Sequence, residues 1–303
     1  MKQEVTKYYC FAIITVVLWA TAPAALKSMI VDLPTMWVLA VSGLLGAVFL
    51  ALLIFVRGEG AKFKMYSPRE YGRLAAMGFL GMFLYCSFYY IGIDRLTSQE
   101  ACILNYLWPI MVVMFSCILL KEAMTARKVI AIILSFSGIL VSTGYQVMTQ
   151  AEGLSGSIEG ILACLVAAVC YSLFSVFNKK YQMDQSIGMV VFWGVAGICA
   201  LAVCLVTGEV YPLNLPQVGG MIWVGVAVHG IPYLLWAIAI NGVENTARIA
   251  NFAYLTPIIS VIFSAITLHE SLSPAYFAAL ALILLGIVIQ LIPGRKPPVG
   301  EES

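Results

Sequence analysis

The chain contains part of itself twice. Tyr106-Leu107-Trp108-Pro109-Ile110 recurs as Tyr254-Leu255-Thr256-Pro257-Ile258. The same offset then holds without a gap: Val113 pairs with Val261, Phe115-Ser116 with Phe263-Ser264, Glu122 with Glu270, and Gly138-Ile139 with Gly286-Ile287. The units of a duplicated chain fold alike and must bury their apolar faces against one another, so duplication limits the fold more than local propensity does. Here both copies are apolar almost throughout. Of 303 residues, 62% are apolar and 11% charged, too few charges to cover a soluble protein of this size.

Ten apolar segments are long enough to cross a bilayer as helices, near 8–30, 34–56, 72–93, 97–119, 126–147, 157–178, 185–207, 217–240, 246–268 and 274–292. Segment one follows Lys2 and Lys7 and contains Ala20-Thr21-Ala22, the pattern of a cleaved signal peptide. Its kinship with segment six argues against removal: with Trp19 placed on Tyr171, Pro23 falls on Ser175 and Lys27 on Lys179. If the N-terminus is cytoplasmic and the segments alternate, all 17 basic residues except Lys27 and Arg95 lie inside. That bias predicts both termini in the cytoplasm of a multi-pass protein of the inner (plasma) membrane. Five segments per half is an odd number, so the second half enters from the opposite side. The expected fold is an all-α polytopic membrane protein, ten transmembrane helices in two inverted five-helix repeats, residues 10–144 and 157–292. Such repeats can expose a shared midplane site to each side in turn, the logic of a secondary transporter.

Four prolines interrupt the segments away from their ends: Pro23, Pro109, Pro232 and Pro257. Each removes a backbone donor and frees an earlier carbonyl, so each predicts a hinge or kink beside a cavity or another helix. The pairs Gly43-x-x-Gly46, Gly78-x-x-Gly81 and Gly194-x-x-Gly197 allow helices either to pack closely or to slide.

Polar and aromatic residues at membrane depth carry the specificity argument. His229, Tyr233 and Trp236 form one helical stripe on segment eight, and Tyr171, Ser175 and Asn178 repeat the spacing on segment six. Asn105 and Trp108 stand one turn apart on segment four, as do Asn251 and Tyr254 on segment nine. Tyr85, Tyr89 and Trp19 add aromatic surface. Aromatic belts at the interfaces account for Trp37 and Trp223 but not for Trp19, Asn105, Trp108 and Tyr254 near mid-membrane. An amide at that depth bonds either to another helix or to a ligand. The halves differ at Asn105 against Ala253 and Trp108 against Thr256, and a residue that differs is free to serve an asymmetric ligand. The candidate substrate-binding residues are therefore Trp19, Tyr85, Tyr89, Asn105, Trp108, Tyr171, His229, Tyr233, Trp236, Asn251 and Tyr254, led by Asn105 and Trp108. A Trp face suits either an aromatic ligand or an organic cation, each on the order of 0.5–2 kcal/mol.

Glu100 is the one carboxylate expected inside the hydrocarbon, about a turn from the outer end of segment four. It reads as either a structural bond or a coupling group. Glu122 and Glu270 fall at helix ends, where solvation and capping explain them. So few intramembrane charges argue against phosphorylated or polyanionic cargo. A formal net charge of +2 gives no reason to expect nucleic acid. The 8 cysteines lie in apolar stretches without a C-x-x-C pair, so neither a metal nor a cofactor is expected. No nucleophile–base pair falls at membrane depth, so the chain is not expected to be an enzyme.

The two halves resemble paired EamA domains of the drug/metabolite transporter superfamily. Glu100-x-x-x-x-Asn105-Tyr106-Leu107-Trp108-Pro109, Asn178-Lys179-Lys180-Tyr181, Tyr233-x-x-Trp236 and Tyr254-x-Thr256-Pro257 resemble the YddG-type aromatic amino-acid exporters. The resemblance implies export of aromatic or other neutral amino acids, or related small metabolites, through a central cavity. Asn105 would hold the backbone charges of the cargo, and Trp19, Tyr89, Trp108, Tyr233 and Trp236 its side chain. The lipid bilayer is the expected partner, and a monomer is sufficient because it already holds both repeats. Two alternatives stay open: a proton-coupled exporter of organic cations or drugs using Glu100, and a membrane scaffold or sensor that transports nothing.

Overall fold

Apolar runs of bilayer length fold here as helices, and every described element is helical. The computed structural model describes residues 2–149, 154–241 and 251–291. Glu244, Arg248, Arg295 and Lys296 lie outside the described residues. Among the described residues, seven runs are long and apolar enough to cross a membrane: Thr6–Ile30, Thr35–Val56, Pro68–Arg95, Ser98–Leu119, Ile158–Tyr181, Gln185–Thr207 and Leu215–Trp236. Phe252–Leu268 and Pro274–Ile289 are shorter apolar helices. The protein is an all-helical polytopic membrane protein.

Several of these runs are compound. In chain order the α-helices are α1 (Lys2–Ala20), α2 (Ala22–Ile30), α3 (Thr35–Val56), α4 (Pro68–Gly78), α5 (Tyr85–Arg95), α6 (Ser98–Asn105) and α7 (Trp108–Leu119). Then follow α8 (Ala126–Thr149), α9 (Leu154–Tyr181), α10 (Gln185–Thr207), α11 (Leu215–Ile222), α12 (Ile231–Asn241), α13 (Thr256–Leu268) and α14 (Pro274–Leu291). The expected proline kinks are breaks followed by fresh starts. Pro23, Pro109 and Pro257 each stand in the first turn of a new helix, where a missing N–H costs nothing. Pro232 stands in the first turn of α12, and its carbonyl accepts the Thr15 hydroxyl at 3.3 Å. π-Helical turns fill Phe79–Leu84 and Trp223–Val228, at corresponding places in segments three and eight. Each widens one turn and so re-aims the side chains that follow it.

Small residues set the closest helix contacts. α3 packs along α10, and a Cβ on Gly43 would stand 3.3 Å from the Cα of Gly197. α8 packs along α14, where a Cβ on Gly138 would meet the Ala279 carbonyl at 2.6 Å and one on Gly286 the Ala131 carbonyl at 2.6 Å. Of the expected glycine pairs, Gly194 has room for a side chain and Gly197 has none.

The remaining helices form two groups. α5, α6 and α7 pack on α9, while α12 and α13 pack on α1. Each half thus lends its first segment to the other half's group. Charged side chains gather at two ends. One end holds Lys62 with Glu59 and Asp184, and Glu122 with Lys128 and Lys179. The other holds Arg95 with Asp94 and Glu159, and Glu270 against the start of α6.

Candidate functional site

Between the two helix groups lies a cavity of about 1100 Å³. One wall comes from the first group. Tyr85 and Tyr89 on α5 stack at 5.8 Å with their rings 9° apart. Asn105, at the end of α6, donates from Nδ2 to the Tyr85 hydroxyl at 3.1 Å. Tyr171 on α9 sits 4.9 Å from Tyr85 and meets Trp108 of α7 edge-on at 5.1 Å. The Ser172 hydroxyl donates to the Trp108 carbonyl at 3.0 Å and pins the start of α7 to α9. The wall is therefore a chain of aromatic contacts with one amide inside it.

The opposite wall is aromatic as well. Trp19 on α1 packs against Tyr233 at 5.5 Å and Trp236 at 5.4 Å, both on α12. His229 stacks face to face on Trp193 of α10, with centroids 3.6 Å apart and planes at 16°. Nδ1 of His229 and Nε1 of Trp193 are buried and meet no partner among the described residues. Asn105, 7% exposed, likewise keeps Oδ1 without a partner among the described residues. A buried acceptor left unmet costs about 1–3 kcal/mol, which a ligand donor at the amide would offset.

Nine of the eleven candidate binding residues line this cavity: Trp19, Tyr85, Tyr89, Asn105, Trp108, Tyr171, His229, Tyr233 and Trp236. Tyr254 does not line it and packs against the cluster that contains Ile103, Ile110 and Ile283. The side chain of Asn251 lies outside the described residues. Of the four hinge prolines, Pro23 lines the cavity. Glu100 stands off it, 1% exposed, and accepts the Tyr276 hydroxyl at 2.6 Å and the Thr97 N–H at 3.0 Å. The second of these bonds belongs to the capping box that starts α6.

Sequence reasoning missed Trp193, Phe174, Tyr106, Thr256 and Ser260, which also line the cavity. Trp193 lies mid-segment, the criterion that had singled out Trp19, and Phe174 follows Tyr171 by one turn. Tyr106 donates its hydroxyl to the Ala253 carbonyl at 2.9 Å, so the broken parts of segments four and nine touch.

The cavity opens at one end. Tyr8, Arg57, Glu59, Lys62, Asp184 and Gln185 belong to its lining there. Lys62 bonds Glu59 at 2.6 Å and Asp184 at 3.5 Å. Its partnership with Glu59, with Asp184 adding to it, holds the ammonium above its ordinary range. At the opposite end the lining includes none of residues 31–34, 94–98, 208–214 or 269–273. Ser98, Gln99 and Glu100 are buried there. Among the described residues, the charged members of the lining all lie at the open mouth, and the deep walls are neutral. Such a site suits a flat, largely apolar ligand of no net charge with a few hydrogen-bonding groups.

The sequence profile of the EamA-like transporter family matches residues 6–144 and again 158–292. The uncharacterized transporter YvbV of Bacillus subtilis is 25% identical over 280 residues, covering 90% of this chain and 88% of its own. An uncharacterized transporter of Archaeoglobus fulgidus is 25% identical, covering 91% and 95%. The aromatic amino acid exporter YddG of Ancylobacter novellus is 25% identical over 223 residues, covering 72% and 76%. A solved crystal structure at 22% identity superposes with a TM-score of 0.67 over 94% of this chain and 99% of the other, which shows the fold.

Proposed function

Because the chain belongs to the EamA-like transporter family, we propose that it is an inner-membrane secondary transporter exporting aromatic or other neutral amino acids, or similar small metabolites, by alternating access. The observation that carries this reading is the cavity itself. Its deep walls are built from Trp19, Tyr85, Trp108, Tyr171, Tyr233 and Trp236, with the amide of Asn105 set among them. Aromatic walls stack on a flat side chain, at about 0.5–1.5 kcal/mol per ring pair beyond the area buried. The Asn105 amide offers one polar contact to the ammonium or carboxylate of a zwitterion. The name of the Ancylobacter relative points to the same cargo.

In this reading the chain crosses the membrane ten times as two inverted repeats, residues 10–144 and 157–292. Paired contacts support the alternation of segments. Lys62 meets Asp184 and Glu122 meets Lys179 at one end, while Arg95 meets Glu159 and Ser98 meets Glu270 at the other. The basic end is cytoplasmic by the positive-inside bias. The structure is then the inward-open state, with its outer end shut.

The drug-exporter reading would place a protonatable carboxylate where cargo reaches it. Glu100 is instead bonded to Tyr276 and Thr97 behind the cavity wall, so the neutral cargo is preferred. Cells overproducing the protein are expected to tolerate toxic aromatic amino-acid analogues better than control cells. Unchanged sensitivity, with the protein present in the membrane, counts against aromatic cargo.

A further inference from the structure

Two residues hold the closed end, and each has a counterpart at the open end with different partners. Lys27 on α2 donates to the carbonyls of Ile93 at 2.5 Å, Asp94 at 3.0 Å and Leu96 at 2.9 Å. Those carbonyls finish α5. Glu270, between α13 and α14, accepts from Ser98 N–H at 2.8 Å, the Ser98 hydroxyl at 2.9 Å and Gln99 N–H at 3.3 Å. Those donors begin α6. Lys27 lies on α2, which continues segment one after α1, and Glu270 follows α13; both reach the group containing α5, α6 and α9 at the closed end of the cavity. A cation on a helix C-terminus and a carboxylate on a helix N-terminus are each matched to the helix dipole.

The duplication places Lys27 on Lys179 and Glu270 on Glu122. At the open end these two counterparts bond to each other. Lys179 Nζ meets Glu122 Oε1 at 2.9 Å, and Lys128 meets Oε2 at 3.2 Å. The hydrogen bond from Lys179, followed by that from Lys128, holds the Glu122 carboxyl below its usual range. Glu122 follows α7 and Lys179 lies on α9, so this pair stays within one helix group and leaves the cavity mouth unbridged.

We infer that Lys27 and Glu270 form a two-point clasp that locks the outer end, and that Lys179 and Glu122 are the resting halves of a matching clasp at the inner end. Passing from one state to the other exchanges one set of helix-end bonds for another of the same chemistry. The two states then lie close in free energy, as a transporter requires if it is to visit both. A static reading accounts for each pair separately; the clasp accounts for the same two side chains recurring at both ends.

The inference rests on the alternating-access reading but not on the cargo, so its test uses no cargo. Leu26 lines the cavity near the closed end and is 2% exposed. In intact cells, labelling of a Leu26→Cys protein by a membrane-impermeant maleimide, mapped to that residue by mass spectrometry, reports outward opening. Glu270→Gln is expected to raise the labelling rate roughly tenfold, and Lys27→Met, made separately, likewise. Glu122→Gln is expected to lower it. Glu209→Gln, an outer-end carboxylate outside the clasp, is expected to leave it unchanged. Unchanged labelling in both Glu270→Gln and Lys27→Met overturns the clasp, as does a change of the same sign in Glu270→Gln and Glu122→Gln. If one variant fails to reach the membrane, the others decide. Failure of the transport reading shows separately, as labelling of Leu26→Cys that no added amino acid alters.

Discussion

Gly138 and Gly286 occupy the same place in the two halves, and so do Asn105 and Ala253, yet the two pairs behave differently. Each glycine faces a carbonyl of the partner helix, Ala279 in one case and Ala131 in the other, at the same 2.6 Å from a would-be Cβ. The second pair shares no role: Asn105 bonds Tyr85 beside the cavity, while Ala253 gives its backbone carbonyl to Tyr106. Trp108 and Thr256 part in the same way, one packing edge-on against Tyr171 and the other offering only a small hydroxyl. Matched residues hold helices together; unmatched ones shape the cavity. Tyr106 and Tyr254 limit the rule, since identical residues here point one to the cavity and one to the Ile103 cluster.

The largest effect that would test this contrast is on folding. Gly138→Leu or Gly286→Leu is expected to destabilise the protein by at least about 1–3 kcal/mol through overpacking. Thermal unfolding in detergent reads this, and an unchanged midpoint would mean the α8–α14 contact is looser than it stands here. Next comes the cavity. Trp108→Ala is expected to slow transport of aromatic amino acids by roughly ten- to a hundredfold with the protein still present in the membrane, the burial of one large side chain being about 1.5–3 kcal/mol. Asn105→Leu keeps the volume and removes the amide, so half-saturation for amino acids should rise about tenfold. Tyr254→Phe, away from the cavity, is expected to change transport less than about twofold, about the scatter of ordinary surface substitutions. The smallest effect concerns pH. Because the Glu122 carboxyl is depressed by Lys179 and Lys128, the pair's contribution is fully present above the ordinary carboxylate range. It fades only as pH falls through the lowered value. Infrared titration of the carboxylate, compared with Lys179→Met, would check the sign.

The seven runs of bilayer length were legible because such an apolar run has few other uses, and nine of the cavity residues were legible because aromatic and amide groups at mid-membrane need a reason. The breaks were legible where proline marked them, but the bonds that fix the break before Pro23 were not: the Thr21 hydroxyl turns back to the Leu18 carbonyl at 2.7 Å and also accepts from Trp223 at 3.0 Å. Nothing local announces such a long-range bond. The π-helical turns at Phe79–Leu84 and Trp223–Val228 were hidden for the same reason. Glu100 was singled out as a lone intramembrane charge, and its depth was legible, but its bond to Tyr276 from the other half was not. The closed end was not legible in the sequence, since Lys27 and Glu270 meet mostly backbone groups of helix ends, which carry no side-chain signature.

The central claim is that a neutral aromatic cavity moves a neutral aromatic cargo. Its most direct test is flux of labelled tryptophan, phenylalanine, threonine or a quaternary amine through purified protein in liposomes, with and without a pH gradient, for the native chain and for Trp108→Ala. The expected result is aromatic amino-acid flux that needs no gradient and falls with Trp108→Ala. Flux of the amine alone, present only with the gradient and abolished by Glu100→Gln, would contradict it.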